Sequence, residues 1–303
     1  MHALGVATVE DAERLVQASQ LSHIKVGLSD VDGVMLGKYL RRDKFLGALR
    51  SGLAFCDVVF GWDLDDQLYD NTKYTGWHTA YPDAKLRIIP QSCRRLTLEQ
   101  GPGGEDMLLF LAEFEGDAGA ICPRRLLHRI LDRAAGMGFD AYAALEYEFF
   151  MFRETPHSVR AKNYRNMENW TPGNFGYSVL RSTVEGDFYR KLLDMCERMD
   201  MPIEGLHTET GPGVLEAALA VDQAAAAGDK AFLFKTFTKA LAQQNGLMAT
   251  FMAKWSHDHP GQSGHIHLSL RDRTSGRSAF HDESRPHGMS ATQEAFMAGV
   301  QRY

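Results

Sequence analysis

The chain has 303 residues, of which 44% are apolar and 24% charged, with 28 glycines and 10 prolines. That balance excludes disordered, collagen-like and low-complexity classes, and the length points to two domains or one large α/β unit. Lys and Arg number 33 against 39 Asp and Glu, a formal charge of -6. No basic stripe extends beyond Arg41-Arg42 and Arg94-Arg95, so nucleic acid is not an expected partner. Apolar runs are broken by charge well short of the roughly 20 residues of a membrane span. The opening MHALGVATVEDAERL lacks the basic and apolar regions of a secretory signal. No membrane association and a cytoplasmic location are therefore expected. Cys56, Cys93, Cys122 and Cys196 are far apart with no C-x-x-C pair, which suits buried thiols better than a disulfide framework or a structural zinc site.

Residues 7–20 have the pattern of a short amphipathic helix, and 23–30 alternate as a strand. Asp32-Gly33 is a hairpin signal, with 34–40 as the returning strand. Residues 54–95, rich in turn formers and aromatics, read as a loop-laden β region. GPGGED at 101–106 is a Gly-rich break, and a strong strand follows at 106–115. A domain boundary is expected there, dividing the chain into 1–104 and 105–303. Pro123 begins a helix that ends near Gly136, and 141–152 have the composition of a strand. A helix over 186–200 stops at Pro202. Asp222 is placed as the N-cap of a long helix closed by Gly246. Residues 247–255 and 264–272 read as two further strands.

Three clusters carry candidate chemistry. Glu146 and Glu148 flank Tyr147 in a strand-like run, and the period of two puts both carboxylates on one face. A solvated strand face is the plain alternative, but ALEYEFFMF is apolar on both sides, and bare carboxylates there are costly unless a cation sits between them. In HTETGPGVLEAAL, a Gly-Pro-Gly turn lets the chain fold back and bring Glu209 toward Glu216 as oxygen ligands for Mg²⁺ or Mn²⁺. An exposed acidic loop is the alternative. In GQSGHIHLSL, His265 and His267 share a strand face, where a single histidine would more often be a hydrogen-bonded core residue. Imidazole and carboxylates without thiolate point to Mn²⁺ or Mg²⁺ with a phosphate substrate more than to structural zinc.

The ordered set SDVDGVMLGK, EYEFF, HTETGPGVLE, ATFMAKW and GHIHLSL resembles the glutamine synthetase family, in the branch that includes γ-glutamyl-amine ligases. The resemblance implies an α+β protein. A small β-grasp N-terminal domain precedes a catalytic domain whose curved antiparallel sheet lines a cavity holding two or more divalent metals. By motif position, Glu148, Glu209 and Glu216 match ligands of the metal near the substrate amino acid, and Glu146 and His265 match ligands of the metal bridging the ATP phosphates. His267 and Ser269 fall where the family contacts ATP, and Lys254 faces nucleotide phosphate or simply solvent. Asp30 matches the aspartate that receives ammonium at a neighbouring subunit's site, or else caps an Asx-type turn. The family's amino-acid-holding Asn-Gly pair is replaced by Pro260-Gly261, which makes Gly261 the corresponding substrate contact. Trp170 and Trp255 are candidates for a substrate or purine wall, with core packing the plainer role.

The implied partners are glutamate, ATP and ammonia or an amine, in a homo-oligomeric ring such as a dodecamer with sites between subunits. In the family, a long segment follows the helix matched by EAFMAGVQRY, so the resemblance implies a C-terminally incomplete catalytic domain. The sequence leaves open two other readings. One is a non-catalytic homologue with a structural or regulatory role, and the other is a metal-dependent hydrolase that needs no ATP.

Overall fold

The computed structural model describes residues 4–303. Met1–Ala3, part of the stretch read above for a secretory signal, lie outside it. Helix α1 (Val9–Ala18) begins at Thr8, whose hydroxyl accepts from the Asp11 N–H while the Asp11 side chain answers the Thr8 N–H. This capping box starts the helix where the pattern predicts it. Strands β1 (His23–Ser29) and β2 (Met35–Arg41) form the expected hairpin, followed by α2 (Arg42–Ser51), β3 (Leu53–Cys56), β4 (Asp83–Ile88), β5 (Arg94–Gln100) and β6 (Asp106–Phe114).

Among the described residues these strands make one sheet in the order β2-β1-β6-β4-β3, with β5 also on β6. Strand β6 runs parallel to β1 and antiparallel to β4 and β5. The sheets therefore divide after Phe114, later than the expected division at 104/105, because β6 is the strand on which the first sheet is assembled. Almost every residue of β6 is buried, as a central strand covered on both faces requires.

Short α3 (Ala118–Ile121) and α4 (Pro123–Gly136) lead to β7 (Phe139–Phe152), then α5 (Pro156–Ala161), α6 (Val179–Val184) and α7 (Gly186–Arg198). Strands β8 (Ile203–Thr208), β9 (Val214–Leu219) and β10 (Asp222–Gln223) precede α8 (Ala224–Gln244), and β11 (Met248–Thr250), β12 (Gly264–Asp272) and α9 (Ala291–Arg302) complete the chain. Two sequence expectations change here. Asp222 pairs with Ala143 as a strand residue and holds Lys230 at 2.8 Å, so Gln223 precedes α8 instead. The strand expected over 247–255 stops at Thr250, and the backbone from Phe251 on leaves the sheet. No described helix is long and apolar enough to cross a membrane.

Strand β7 organises the second sheet: β9 and β10 pair along one edge and β12 and β11 along the other. Its odd residues face the core. Tyr147 and Phe149 pack on Phe234 of α8 and on Phe251 with ring centroids 5.1–6.0 Å apart. Each such burial contributes roughly 1.5–3 kcal/mol, which fixes the opposite face of β7 as the one that carries Glu146 and Glu148. Further along, Phe150 and Phe152 pack with Val214 and Trp255, so beyond the glutamates that face turns apolar. Trp170 is likewise buried, against Phe188 and Tyr189, and both tryptophans take the core role.

Ion pairs tie the first sheet to the helices α4 and α8, which pack on β7. Glu113 of β6 has a fully buried side chain contacted by Arg87, Arg124 and Arg125, and Arg124 also grips Asp229 of α8 at 3.0 Å. Burial pushes the Glu113 carboxyl up, but the hydrogen bond from Arg87 and the charge of Arg124 outweigh it and hold it below the carboxylate range. Cys93, Cys122 and Cys196 are buried free thiols and Cys56 is half-buried, as the cysteine spacing suggests; burial pushes Cys93 up to about 12.

Glu154, just after β7, orders the segment that returns to the end of that strand. It accepts from Lys162 Nζ and Ser158 Oγ at 2.6 Å and from the Glu168 N–H at 2.9 Å. Burial raises its pKa, but these donors outweigh it and hold the carboxyl at about 2 against an ordinary 4.5. A depressed carboxylate stabilises the fold above its unfolded value, and this is lost as pH falls through the folded one. Glu154→Gln should therefore flatten the loss of stability between pH 4.5 and 2 while costing about 1–3 kcal/mol at neutral pH. Urea denaturation across that range checks it, and an unchanged acid limb would contradict it.

Candidate metal centre

The pairing register brings the polar residues into two rows across the second sheet. In one row His207 of β8 stands opposite Glu216 of β9, which stands opposite Glu148 of β7. In the next, Glu146 of β7 stands opposite His265 of β12. The turn between β8 and β9 depends on Gly213, which has φ +72 and whose carbonyl accepts from the Met151 N–H at 2.8 Å. A Cβ at Gly213 would lie 2.4 Å from the Met151 carbonyl oxygen. The fold-back read from the Gly-Pro-Gly spacing is thus present, and it seats β9 beside β7.

His265 Nδ1 lies 2.8 Å from Glu146 Oε2 and His267 Nε2 lies 3.1 Å from Glu146 Oε1. One carboxylate therefore orients both imidazoles. Glu148 turns to the start of β12, accepting from the Ser263 N–H at 3.0 Å and Ser263 Oγ at 3.1 Å. His207 sits 3.8 Å from Glu209 and 3.9 Å from Glu216. Tyr177 stacks on the His207 ring at 4.3 Å. The Tyr177 N–H donates to the Thr208 carbonyl at 2.7 Å, clipping the 175–178 loop to the end of β8.

Ligand atoms of Glu146, Glu216 and His265 lie within 4.8 Å of one another, and so do those of His207, Glu209 and Glu216. Glu216 belongs to both groups. Burial pushes its carboxyl up; His207 opposes this, while Glu146, Glu148 and Glu209 add to it. For Glu146, burial also acts upward, but the hydrogen bonds from His265 and His267 prevail and hold it down. Among the described residues no lysine or arginine pairs with Glu146, Glu148, Glu209 or Glu216; their ion-pair partners are histidines only. Such a set of oxygen and imidazole donors fits a divalent cation.

The remaining sequence candidates lie elsewhere. Asp30 is 3% exposed, and its Oδ1 accepts from the Asp32 N–H at 2.9 Å and the Val34 N–H at 2.8 Å. These are the contacts of the Asx-type turn, and burial raises its pKa. Ser269 continues the His265–His267 face of β12, opposite Tyr142. Lys254 and Gly261 are exposed on the loop between β11 and β12, which is closed by the Gln262 N–H donating to the Ala253 carbonyl at 2.7 Å. His207, Tyr177 and Ser263 were missed. His207 had a usable signal, since it precedes Glu209 by two in HTE and so shares its strand face.

Residues 120–303 match the family model described as glutamine synthetase, catalytic domain. Type-1 glutamine synthetase 2 of Dictyostelium discoideum is 40% identical over 94% of this chain and 54% of its own length. Glutamate--isopropylamine ligase of Pseudomonas sp is 31% identical over 94% and 62%, and gamma-glutamylethanolamide synthetase GlnA4 of Streptomyces coelicolor is 32% identical over 96% and 62%. The chain thus spans little more than half the length of these relatives. A solved GmaS/ADP complex superposes with a TM-score of 0.77 at 19% identity, covering 95% of this chain and 62% of that one. The two chains share the α+β fold with its curled sheet.

The Gly213 turn is testable by stability alone. Gly213→Ala should lower the free energy of unfolding by about 1–3 kcal/mol, measured by urea denaturation; a loss below about 0.5 kcal/mol would show that the close approach to Met151 is not required.

Proposed function

This chain belongs to the glutamine synthetase family, and on that premise we propose that it carries the metal- and ATP-handling part of a ligase joining glutamate to ammonia or an amine. The observation that carries the reading is Glu216 standing between two donor sets that no basic side chain neutralises. Glu146 and His265 would hold a Mg²⁺ or Mn²⁺ ion on the ATP side. Glu148, Glu209 and Glu216 would hold another near the amino acid, with His207 as an added ligand. When bound, the ions neutralise charge on the phosphates and on the transferring phosphoryl group.

The γ-carboxylate of glutamate is a poor electrophile. Its oxygen attacks the γ-phosphorus of ATP and the bond to the β-phosphate oxygen breaks, leaving ADP and γ-glutamyl phosphate. The amine nitrogen then forms the amide bond, phosphate leaves, and the nitrogen loses a proton. His267, Ser269 and Lys254 are assigned to ATP, with His267 already oriented by Glu146. Gly261, exposed on its loop, is assigned to the amino acid through its backbone. Asp30 is assigned to the ammonium at a neighbouring subunit, a role that falls to Oδ2 because Oδ1 is committed to its own turn. The relatives named for isopropylamine and ethanolamide support a small amine as acceptor.

We assign the first sheet with α1 and α2 to the family's β-grasp domain. The β1–β2 hairpin, the following α2 and the parallel β1–β6 pair support this. The junction then lies between Phe114 and Pro123, where the first sheet ends and the family match begins. A cytoplasmic homo-oligomeric ring is the proposed form. Its support is the outward apolar row of β12, where Ile266 is 67% and Leu268 47% exposed.

Two measurements test the reading. Calorimetric titration with Mn²⁺ should find two sites. Glu216→Ala should weaken both, by at least about tenfold, while His207→Ala weakens one; unchanged affinity in Glu216→Ala would remove the metal assignment. Phosphate release from ATP with Mg²⁺ should require glutamate together with one of ammonia, methylamine, isopropylamine or ethanolamine. Release independent of glutamate would overturn the ligase.

A further inference from the structure

Behind β7, on the side away from Glu146 and Glu148, a cavity of about 330 Å³ opens between the two sheets. Leu28 and Leu111 of the first sheet, Leu127 of α4, Leu145 and Tyr147 of β7 and Phe232 of α8 form its walls. On α8 the positions facing it include Gly228 and Ala231, and their small size leaves the space open. A Cβ at Gly228 would already lie 3.1 Å from Leu127 Cδ2. The volume is at the lower end of what holds small ligands, and a mainly apolar lining with few polar groups is the usual character of such sites.

The polar groups on the wall are unequal. Arg124 is fully engaged, with Nε and Nη2 on Asp229 at 3.0 and 3.1 Å and Nη1 on Glu113 at 2.5 Å. Asp229 is neutralised by the same contacts. Lys235, by contrast, forms no ion pair among the described residues and lines the cavity from α8. One turn on stands Lys239, whose pKa is lowered first by burial and then by the charge of Lys235. Its ammonium rests 5.9 Å from the centre of the Phe251 ring. Like charges four apart on a helix destabilise it, and an anion beside Lys235 would relieve that repulsion.

We propose that this cavity binds a small, mostly apolar molecule bearing a single carboxylate, with its hydrocarbon part among Leu28, Leu127, Leu145 and Phe232 and its carboxylate at Lys235. Multiply charged metabolites do not fit, because the walls are apolar and the remaining cation and anion of the lining, Arg124 and Asp229, satisfy each other. The site uses no residue of the Glu/His clusters and stands independently of the ligase reading. It shares elements with them nonetheless. Leu145 and Tyr147 are the reverse face of the strand that carries Glu146 and Glu148, and Ser29 and Gly33 on its rim belong to the turn that Asp30 caps.

The test is calorimetric titration of the whole chain with octanoate, and with 1-octanol as the uncharged match, without ATP, glutamate or metal. Octanoate should bind saturably at one site, with octanol weaker by about tenfold, the order expected for one partly desolvated charge pair. Lys235→Met should bring octanoate down to the affinity of octanol, and Gly228→Leu, which fills the space, should abolish both. Absence of saturable octanoate binding, equal binding of the two probes to the unaltered chain, or unchanged octanoate affinity in Lys235→Met would each overturn the proposal. If Gly228→Leu fails to fold, Lys235→Met at the rim still decides it. Octanoate binding that persists in Glu216→Ala separates this site from the metal clusters, so failure of the ligase reading would leave it standing.

Discussion

Mutual repulsion among Glu146, Glu148, Glu209 and Glu216 is the constraint on which the second sheet turns. Hydrogen bonds inside the protein relieve part of it: Ser263 holds Glu148, His265 and His267 hold Glu146, and the Thr210 N–H donates to Glu209 at 2.7 Å. Glu216 has His207 as its ion-pair contact, at 3.9 Å, and its carboxyl is pushed up first by burial. Like charges gathered at a partly buried place and left without basic partners are a standing cost to the fold. A divalent cation offsets that cost, which is why the arrangement reads as a site rather than as a solvated face.

The scaffold makes this gathering unavoidable. Strand β7 alone reaches β9, β10, β11 and β12, and its alternation is anchored on the hidden face by Tyr147 and Phe149 against Phe234 and Phe251. A one-residue slip would send the aromatics outward and the glutamates into the core, so packing on one face sets the register of chemistry on the other. The Arg124–Glu113–Asp229 network then ties the helices packed on this sheet to the first one. The cavity behind β7 lies where those two units meet.

Much of the site was legible because its signals are local. The two-residue spacings in EYE and HIH and the Gly-Pro-Gly return before Glu216 encode a shared face and a fold-back within a few residues, and the structure pairs them as those spacings require. What was not legible depends on contacts distant in sequence. The pairing of β6 with β1 brings together residues more than eighty apart and moves the division of the sheets beyond Phe114. Asp222 has the residue type of a helix cap, yet pairing with Ala143 and the pull of Lys230 make it a strand residue. Glu148 stands opposite Glu216 as its spacing requires, but the hydrogen bonds it accepts from Ser263 come from a residue that no local pattern connects to it. Asp30 had two readings, and its contacts are those of the turn.

The most direct measurement is anomalous diffraction at the manganese edge from crystals of the chain grown with Mn²⁺. The account predicts two peaks on the exposed face of β7, one against Glu146 and His265 and one against His207 and Glu209, with Glu216 between them. Peaks elsewhere, or none at either cluster in crystals that diffract well enough to place the glutamates, would contradict it.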